Sequence, residues 1–192
     1  MKYFIFLAFS IMLLNCKSNK GTGVDGATAA VVKSVEEQYI LSNQKNMSDS
    51  LVQVHRNAAM PILEHRLKTT TVKSVTGLDK DIWHFEAILK GSDITFGENL
   101  KGAWIDFGDD ATYKYGSFGD TFGGGKYHYD VDKGSLIMID NDKRLKAQEF
   151  QPLLTNDALV FVGISTYGDN NTQAKLLRNT ALPIKPEPKP VY

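Results

Sequence analysis

Two pairs of histidine and carboxylate side chains are the residues of this sequence whose types and spacing best suit chemistry. His84-x-Glu86 and His128-x-Asp130 each place an imidazole and a carboxylate on one face of a strand. Brought together, they could bind zinc or transfer protons in a hydrolase. The alternative is that both pairs lie on solvated outer faces. We favour that alternative and predict no enzyme, since no serine or cysteine lies in a nucleophile elbow.

The glycine-rich stretch GGGK at residues 123–126 invites comparison with a phosphate-binding loop. That loop needs a glycine at position 120 and a serine or threonine at position 127, where this chain has Asp120 and Tyr127. We therefore exclude a phosphate loop. The glycines are instead expected at the tip of a long hairpin between Tyr115 and Tyr127.

The acidic stretch Asp130-x-Asp132-x-Gly134 offers oxygen atoms that could bind calcium, with Asp140 and Asp142 nearby. An EF-type loop needs further carboxylates and a distal glutamate, and these are not at the required offsets. The same residues suit an ordinary hairpin turn. The sequence therefore predicts neither a metal nor a cofactor.

Aromatic residues recur at alternate positions in three predicted strands, which places them on the inward face. In the first of these strands, residues 82–90, Ala87 and Leu89 are expected to share that face. An eight-stranded barrel is either filled by side chains or holds one small ligand. Inward tyrosines would give such a ligand apolar walls with polar tips. A packed core is the favoured interpretation, and a ligand-binding interior is the alternative. The residues concerned are Trp83, Phe85, Tyr113, Tyr115, Tyr127 and Tyr129.

Strands must position these side chains. From about residue 72 to residue 178 the apolar residues alternate, and glycine, aspartate and asparagine turn signals separate the alternating runs. Short links between short strands predict an antiparallel barrel or sandwich in meander order. The candidate strands are residues 82–90, 103–107, 112–117, 126–131, 135–140, 149–154, 158–164 and 174–177.

Helical spacing precedes the strands. Over residues 31–70 apolar positions recur every three or four residues, and NMSDS at 46–50 predicts a break between two helices. Pro61 is expected to kink or end a turn of the second helix. Strands 136–139 (LIMI) and 158–164 (ALVFVGI) are apolar on both faces, so something must cover their outer side. We expect the helices to do so. The fold class is α+β, with N-terminal helices packed on a mainly antiparallel barrel of about eight strands.

The start of the chain is typical of a secreted protein. Lys2 precedes about a dozen apolar residues at 3–14, which is too short a run to span a bilayer. The following Leu13-Leu14-Asn15-Cys16 resembles a bacterial lipobox. The resemblance implies cleavage before Cys16, lipid attachment to its thiol, and anchoring in the outer membrane. The alternative is an ordinary core cysteine in a cytoplasmic protein.

The charge balance and the segment boundaries complete the predicted domain organisation. The chain has 22 basic and 22 acidic residues, so no charge excess points to nucleic acid as a partner. We predict a signal peptide at residues 1–15, a flexible tether at 16–30, a helical cover segment at 31–70 and a barrel domain at 72–180. Residues 181–192, with four prolines, are expected to form a disordered, extended tail.

The strand region is similar to lipocalins over roughly residues 78–178. Gly102-x-Trp104 is similar to the Gly-x-Trp of a lipocalin first strand, and the segment from Phe107 to Tyr113 looks like the next strand pair of bacterial lipocalin-like lipoproteins. Gly125-Lys126-Tyr127 followed by Leu136 looks like the pair after that. The resemblance implies a lipocalin-like barrel with an internal pocket. One strand, residues 82–89, precedes the Gly-x-Trp motif, which leaves strand order and closure open.

These observations lead to a non-enzymatic, lipid-anchored outer-membrane protein as the leading hypothesis. It would bind a small apolar ligand in the barrel or an outer-membrane protein on its surface. The alternative is a structural accessory subunit of an outer-membrane complex, which uses its helices or its proline-rich tail as contacts. A hydrolase using the histidine–carboxylate pairs is the third hypothesis.

Overall fold

The computed structural model of the chain describes residues 39–44, 47–69 and 77–187. Several predictions lie outside this range: the signal peptide, Cys16, the tether, residues 31–38 of the cover segment and the last five residues of the tail. The described residues form a closed antiparallel β-barrel with one additional strand and one helix. The predicted combination of barrel and helical cover is therefore confirmed in outline.

Nine strands and one helix make up the described part of the chain. Helix α1 spans Asp49–Thr69 and precedes all the strands. The strands are β1 Ile82–Lys90, β2 Asp93–Phe96, β3 Ala103–Phe107, β4 Thr112–Ser117, β5 Asp120–Asp130, β6 Ser135–Asp140, β7 Gln148–Leu154, β8 Ala158–Ile164 and β9 Thr172–Asn179. Two 3-10 turns, Gly97–Leu100 and Ser165–Tyr167, follow β2 and β8.

The barrel closes because the first strand pairs with the last. Strands β3 to β9 run as an antiparallel meander, and β1 pairs with both β3 and β9. The closing register joins Ile82 to Asn179 and Lys90 to Thr172 along the full length of β1. The strand that precedes Gly102-x-Trp104 thus completes a barrel of eight strands, β1 and β3 to β9.

A bulge in β1 changes which side chains face inward. The register of β1 against β9 shifts between Phe85 and Ala87, so alternation is interrupted at that point. Trp83 and Phe85 are buried as predicted, but the next buried residue is Ile88. The expectation that Ala87 and Leu89 share the inward face is therefore wrong.

The triple glycine lies inside a strand and not at a hairpin tip. The β4–β5 hairpin turns at residues 118–119, because Ser117 pairs with Asp120. A methyl group on Gly124 would lie 2.2 Å from the main-chain oxygen of Tyr113, and one on Gly123 would lie 2.3 Å from the Tyr115 hydroxyl. Only glycine lets the two strands and the Tyr115 ring approach this closely.

Helix α1 covers one side of the barrel. Its residues Ala59 and Leu63 pack on Ile137 and Ile139, which point outward from β6, and this confirms the predicted cover for that strand. The helix packs on β5, β6 and the 3-10 turn that follows β8, while the outward residues of β8 itself are half exposed in the described part of the chain. The cover of β8 stays a prediction, because residues 31–38 of the cover segment lie outside the described residues. The described residues contain one helix rather than two, since 39–44 form a turn and an irregular segment.

Candidate functional site

The barrel interior is filled by side chains. Five of the six aromatic residues expected inside, all except Tyr129, belong to one buried cluster, and Tyr129 packs against that cluster half-buried. Phe107 lies at the centre, with ring centroids 4.9 Å from Tyr127 and 6.2 Å from Phe161. Leu136, Met138 and Phe150 complete the packing, together with residues from every barrel strand. A ligand inside this barrel stays a prediction, and it would require these rings to move.

Both ends of the barrel are closed by residues outside the strands. At one end the ring of Tyr39 lies 4.6 Å from that of Tyr115, and Leu41 is fully buried beside it. Gln148 Nε2 donates a 2.7 Å hydrogen bond to the main-chain oxygen of Leu41 and holds this segment in place. At the other end Leu78 is buried, and Trp83 Nε1 donates a 2.8 Å hydrogen bond to its main-chain oxygen.

A buried carboxylate lies beneath the Tyr39 end. Asp140, the last residue of β6, accepts hydrogen bonds from the Tyr113 hydroxyl at 3.1 Å and from the Asp142 amide at 2.7 Å. Burial raises the pKa of Asp140, and these hydrogen bonds oppose the rise. The pKa values of Tyr39 and Tyr113 are raised as well, chiefly by burial. Both hydroxyls therefore stay protonated in the core.

The two histidine–carboxylate pairs lie on different strands that do not neighbour each other. His84 Nε2 lies 2.9 Å from the main-chain oxygen of Ala181, and Glu86 binds Lys175 at 2.6 Å. His128 faces outward, as its position predicts, but it is buried because α1 packs over β5. Burial lowers its pKa. The prediction of a solvated face is therefore wrong for His128, and the pairs form no common site.

Two of the acidic side chains that suggested calcium, Asp130 and Asp142, are engaged in turns. Asp130 Oδ1 accepts a hydrogen bond from the Lys133 amide, and its other oxygen lies 3.2 Å from Lys133 Nζ. Asp142 pairs with Arg144 at 2.7 Å. Across residues 39–44, 47–69 and 77–187, no three histidine, cysteine, aspartate or glutamate side chains lie close enough to hold a metal ion.

An open groove of about 640 Å³ lies on the outside of the barrel, where the neighbour of β1 is interrupted. Strand β3 pairs with β1 up to His84, and β2 pairs with it from Ala87 onward. Between them the 3-10 turn Gly97–Leu100 leaves the sheet and forms one wall of the groove. Phe85, Phe96, Leu100 and Pro183 contribute apolar surface. We call this the β1 groove.

A second groove of about 410 Å³ lies between the start of α1 and the loop before β9. It is lined mainly by amide and other polar side chains, among them Asn43, Asn171 and Asp169. The His55 ring lies against Gly168, where a Cβ would be 2.7 Å from Nε2. Asn43 and Asn171 already hydrogen-bond to each other, so the two amides hold the segments together.

The β1 groove and strand β2 were not predicted from the sequence. The signal for the strand is present: the dipeptide Gly91-Ser92 closes a two-residue hairpin, with Gly91 at φ +61°, and Ile94 and Phe96 alternate after it. No sequence signal marks the groove, because the groove depends on where the 3-10 turn leaves the sheet.

Comparison with models of known protein families finds no match, and comparison with curated proteins finds no significant relative. No helix among the described residues is long and apolar enough to cross a membrane.

Proposed function

We propose that this protein is a non-enzymatic, lipid-anchored outer-membrane protein that binds another envelope protein on the outside of its barrel. The observation that carries the proposal is the filled interior. Trp83, Tyr113 and Phe107 occupy the space where a lipocalin-like barrel would hold its ligand, and all three are at most 2% exposed. The β1 groove on the outer surface is open to a partner.

The membrane anchor in this proposal comes from the sequence. The apolar run at residues 3–14 and the lipobox-like Leu13-Leu14-Asn15-Cys16 at its end support lipid attachment to Cys16. Each buried methylene group of an acyl chain contributes about 0.8 kcal/mol, so two or three chains would hold the protein firmly on a membrane. A Cys16→Ala variant should then be recovered in the soluble fraction or remain uncleaved. Unchanged membrane retention and processing would contradict the anchor.

Affinity purification after chemical cross-linking in intact cells tests the partner. The full chain, carrying a C-terminal tag, should be recovered in a discrete complex with one membrane or envelope protein. The Cys16→Ala variant is the matched control, because it has the same barrel without the anchor and should lose a membrane-bound partner. If the wild-type chain is recovered alone, the proposed binding function is wrong.

A small apolar ligand in the interior is the second candidate. Its support is the aromatic lining and the fact that one end of the barrel is closed by Tyr39, a residue from an irregular segment rather than from a strand. Native mass spectrometry of the full chain extracted from its own cells distinguishes the two candidates. A small mass that is lost on denaturation, beyond that of the acyl groups, would favour the ligand over the protein partner.

A further inference from the structure

Strand β2 is an edge strand of the sheet. In the described part of the chain its one sheet neighbour is β1, to which it is joined by the two-residue turn between Lys90 and Asp93. In such a hairpin the two residues that close the turn exchange main-chain hydrogen bonds. The following pairs alternate between non-hydrogen-bonded and hydrogen-bonded. The amide and carbonyl of Thr95 therefore face β1. Those of Ile94 face away from the barrel, toward the free edge.

The outward surface beside this edge is apolar. Because the bulge in β1 turns Ile88 inward, Ala87 and Leu89 point outward, and they pair with Phe96 and Ile94 across the hairpin. Ile94 is 64% exposed and Phe96 is 66% exposed. Large apolar side chains grouped at an unpaired strand edge indicate a surface that is covered by a partner.

The charges around the adjoining β1 groove are already paired within the chain. Lys175 binds Glu86 at 2.6 Å, and Lys101 binds Glu98 at 3.0 Å. A charged segment entering this groove would have to compete with one of these pairs. Phe96 belongs both to the strand edge and to the groove wall, so one occupant could contact both.

We propose that the free edge of β2 binds an extended, uncharged apolar segment of a partner protein as an additional strand. The exposed Ile94 amide and carbonyl would pair with the main chain of the segment, and alternate apolar side chains would lie on Ile94 and Phe96. This inference rests on the proposed function and names the chemistry of the partner. The short length of β2, four residues, limits the pairing to a short segment.

Binding of a defined strand-forming probe tests the edge. The probe is a fluorescent nine-residue peptide of alternating valine and threonine, and its control has proline in place of every valine, which removes main-chain donors. Fluorescence anisotropy with the purified full chain should show binding of the first peptide and not of the second. Hydrogen exchange at residues 93–96 should slow when the first peptide is bound.

Two variants of the chain separate main-chain pairing from apolar contact. Ile94→Pro removes the edge-facing amide while leaving the Thr95 pairing with β1, a position where an edge strand tolerates proline. Ile94→Thr keeps the amide and the branched side chain. We expect Ile94→Pro to weaken peptide binding by about tenfold or more, and Ile94→Thr to weaken it less. Equal thermal unfolding of the two variants shows that both are folded.

The outcomes distinguish this inference from the proposed function. If the wild-type chain does not bind the valine–threonine peptide, or if Ile94→Pro binds it equally well, the edge inference is wrong. It is also wrong if the chain dimerises and only Ile94→Pro is monomeric, because a second copy then occupies the edge. A cross-linked envelope partner that is retained equally by wild type and Ile94→Pro would leave the proposed function intact while overturning the edge inference.

Discussion

Arg56 Nη2 donates a 2.8 Å hydrogen bond to the main-chain oxygen of Asp140, and so joins the helix to the end of β6. The same guanidinium donates through Nη1 to the main-chain oxygens of Leu145, at 2.6 Å, and Asp142, at 3.1 Å. Arg56 is buried, and its planar group donates to three carbonyls at the end of β6 and in the following turn, of which that of Asp142 also accepts a hydrogen bond from the Leu145 amide. This contact fixes α1 on the barrel.

Replacing Arg56 should destabilise the protein strongly. Arg56→Met keeps the length and the apolar stem of the side chain but removes the charged donor to the buried carbonyl oxygens of Asp140 and Leu145. Because hydrogen bonds to charged groups contribute about 1.5–3 kcal/mol each, we expect the free energy of unfolding to fall by about 3 kcal/mol or more, measured by urea denaturation. Arg144→Ala, which removes an exposed pair with Asp142, is the control and should have no measurable effect. Equal midpoints for the two variants would contradict this role.

Asp140 should make stability depend on pH in a direction opposite to that of most carboxylates. Burial raises its pKa, so the folded protein binds this proton more tightly than the unfolded chain does. The free energy of unfolding therefore falls as the pH rises from 3.8, the ordinary value, through the raised folded value. Relative to wild type, Asp140→Asn should lose this fall, which urea denaturation at a series of pH values would measure.

Asp110→Asn is a control of opposite sign for the Asp140 measurement. Asp110 accepts hydrogen bonds from the Thr112 amide and hydroxyl, which lower its pKa. Its contribution to stability is present above the unfolded pKa and is lost as the pH falls through the folded pKa. Asp110→Asn should therefore remove a rise in the free energy of unfolding with pH. Identical pH profiles for the two variants would show that at least one of the two carboxylates does not act as described.

Removing the Tyr39 ring should open the barrel. Tyr39 is 2% exposed and covers the Tyr115 ring, so Tyr39→Ala leaves a cavity at the end of the core. We expect a loss of about 3 kcal/mol in the free energy of unfolding. Toluene should then raise the midpoint of thermal unfolding of the variant, because a ligand that binds only the folded state stabilises it. Tyr39→Phe, which keeps the ring, should show neither effect. Equal stabilisation of the wild-type chain by toluene would favour the interior ligand site.

Much of the barrel could be predicted from the sequence, because alternation within one strand is a local property. The inward placement of Tyr113 and Tyr115 and the positions of most turns follow from side-chain parity and turn residues. Closure through β1 and β9 could not be predicted in the same way, since it depends on pairing between Ile82 and Asn179, at opposite ends of the barrel region. The cover of His128 by α1 is likewise a long-range packing effect.

The apolar surface beside the free edge of β2 could not be predicted, for a physical reason that is specific to β1. A bulge adds one residue to a strand and exchanges its two faces, and nothing in the sequence around Glu86 marks the position of the bulge. Strict alternation therefore assigned Ala87 and Leu89 to the core. The structure places them on the outer face instead, beside Ile94 and Phe96, where they form the surface next to the free edge.

Paired truncations on either side of this bulge test the exchange of faces. Ile88 is 2% exposed and belongs to the core, so Ile88→Ala should lower the free energy of unfolding by about 2–4 kcal/mol. Leu89 is only half-buried, and Leu89→Ala should cost less than about 1 kcal/mol while reducing the apolar surface beside Ile94. Urea denaturation measures both. If Leu89→Ala lowers the free energy of unfolding more than Ile88→Ala does, strict alternation continues through Glu86. Ala87 and Leu89 would then lie inside the barrel, and the edge inference would lose its apolar surface.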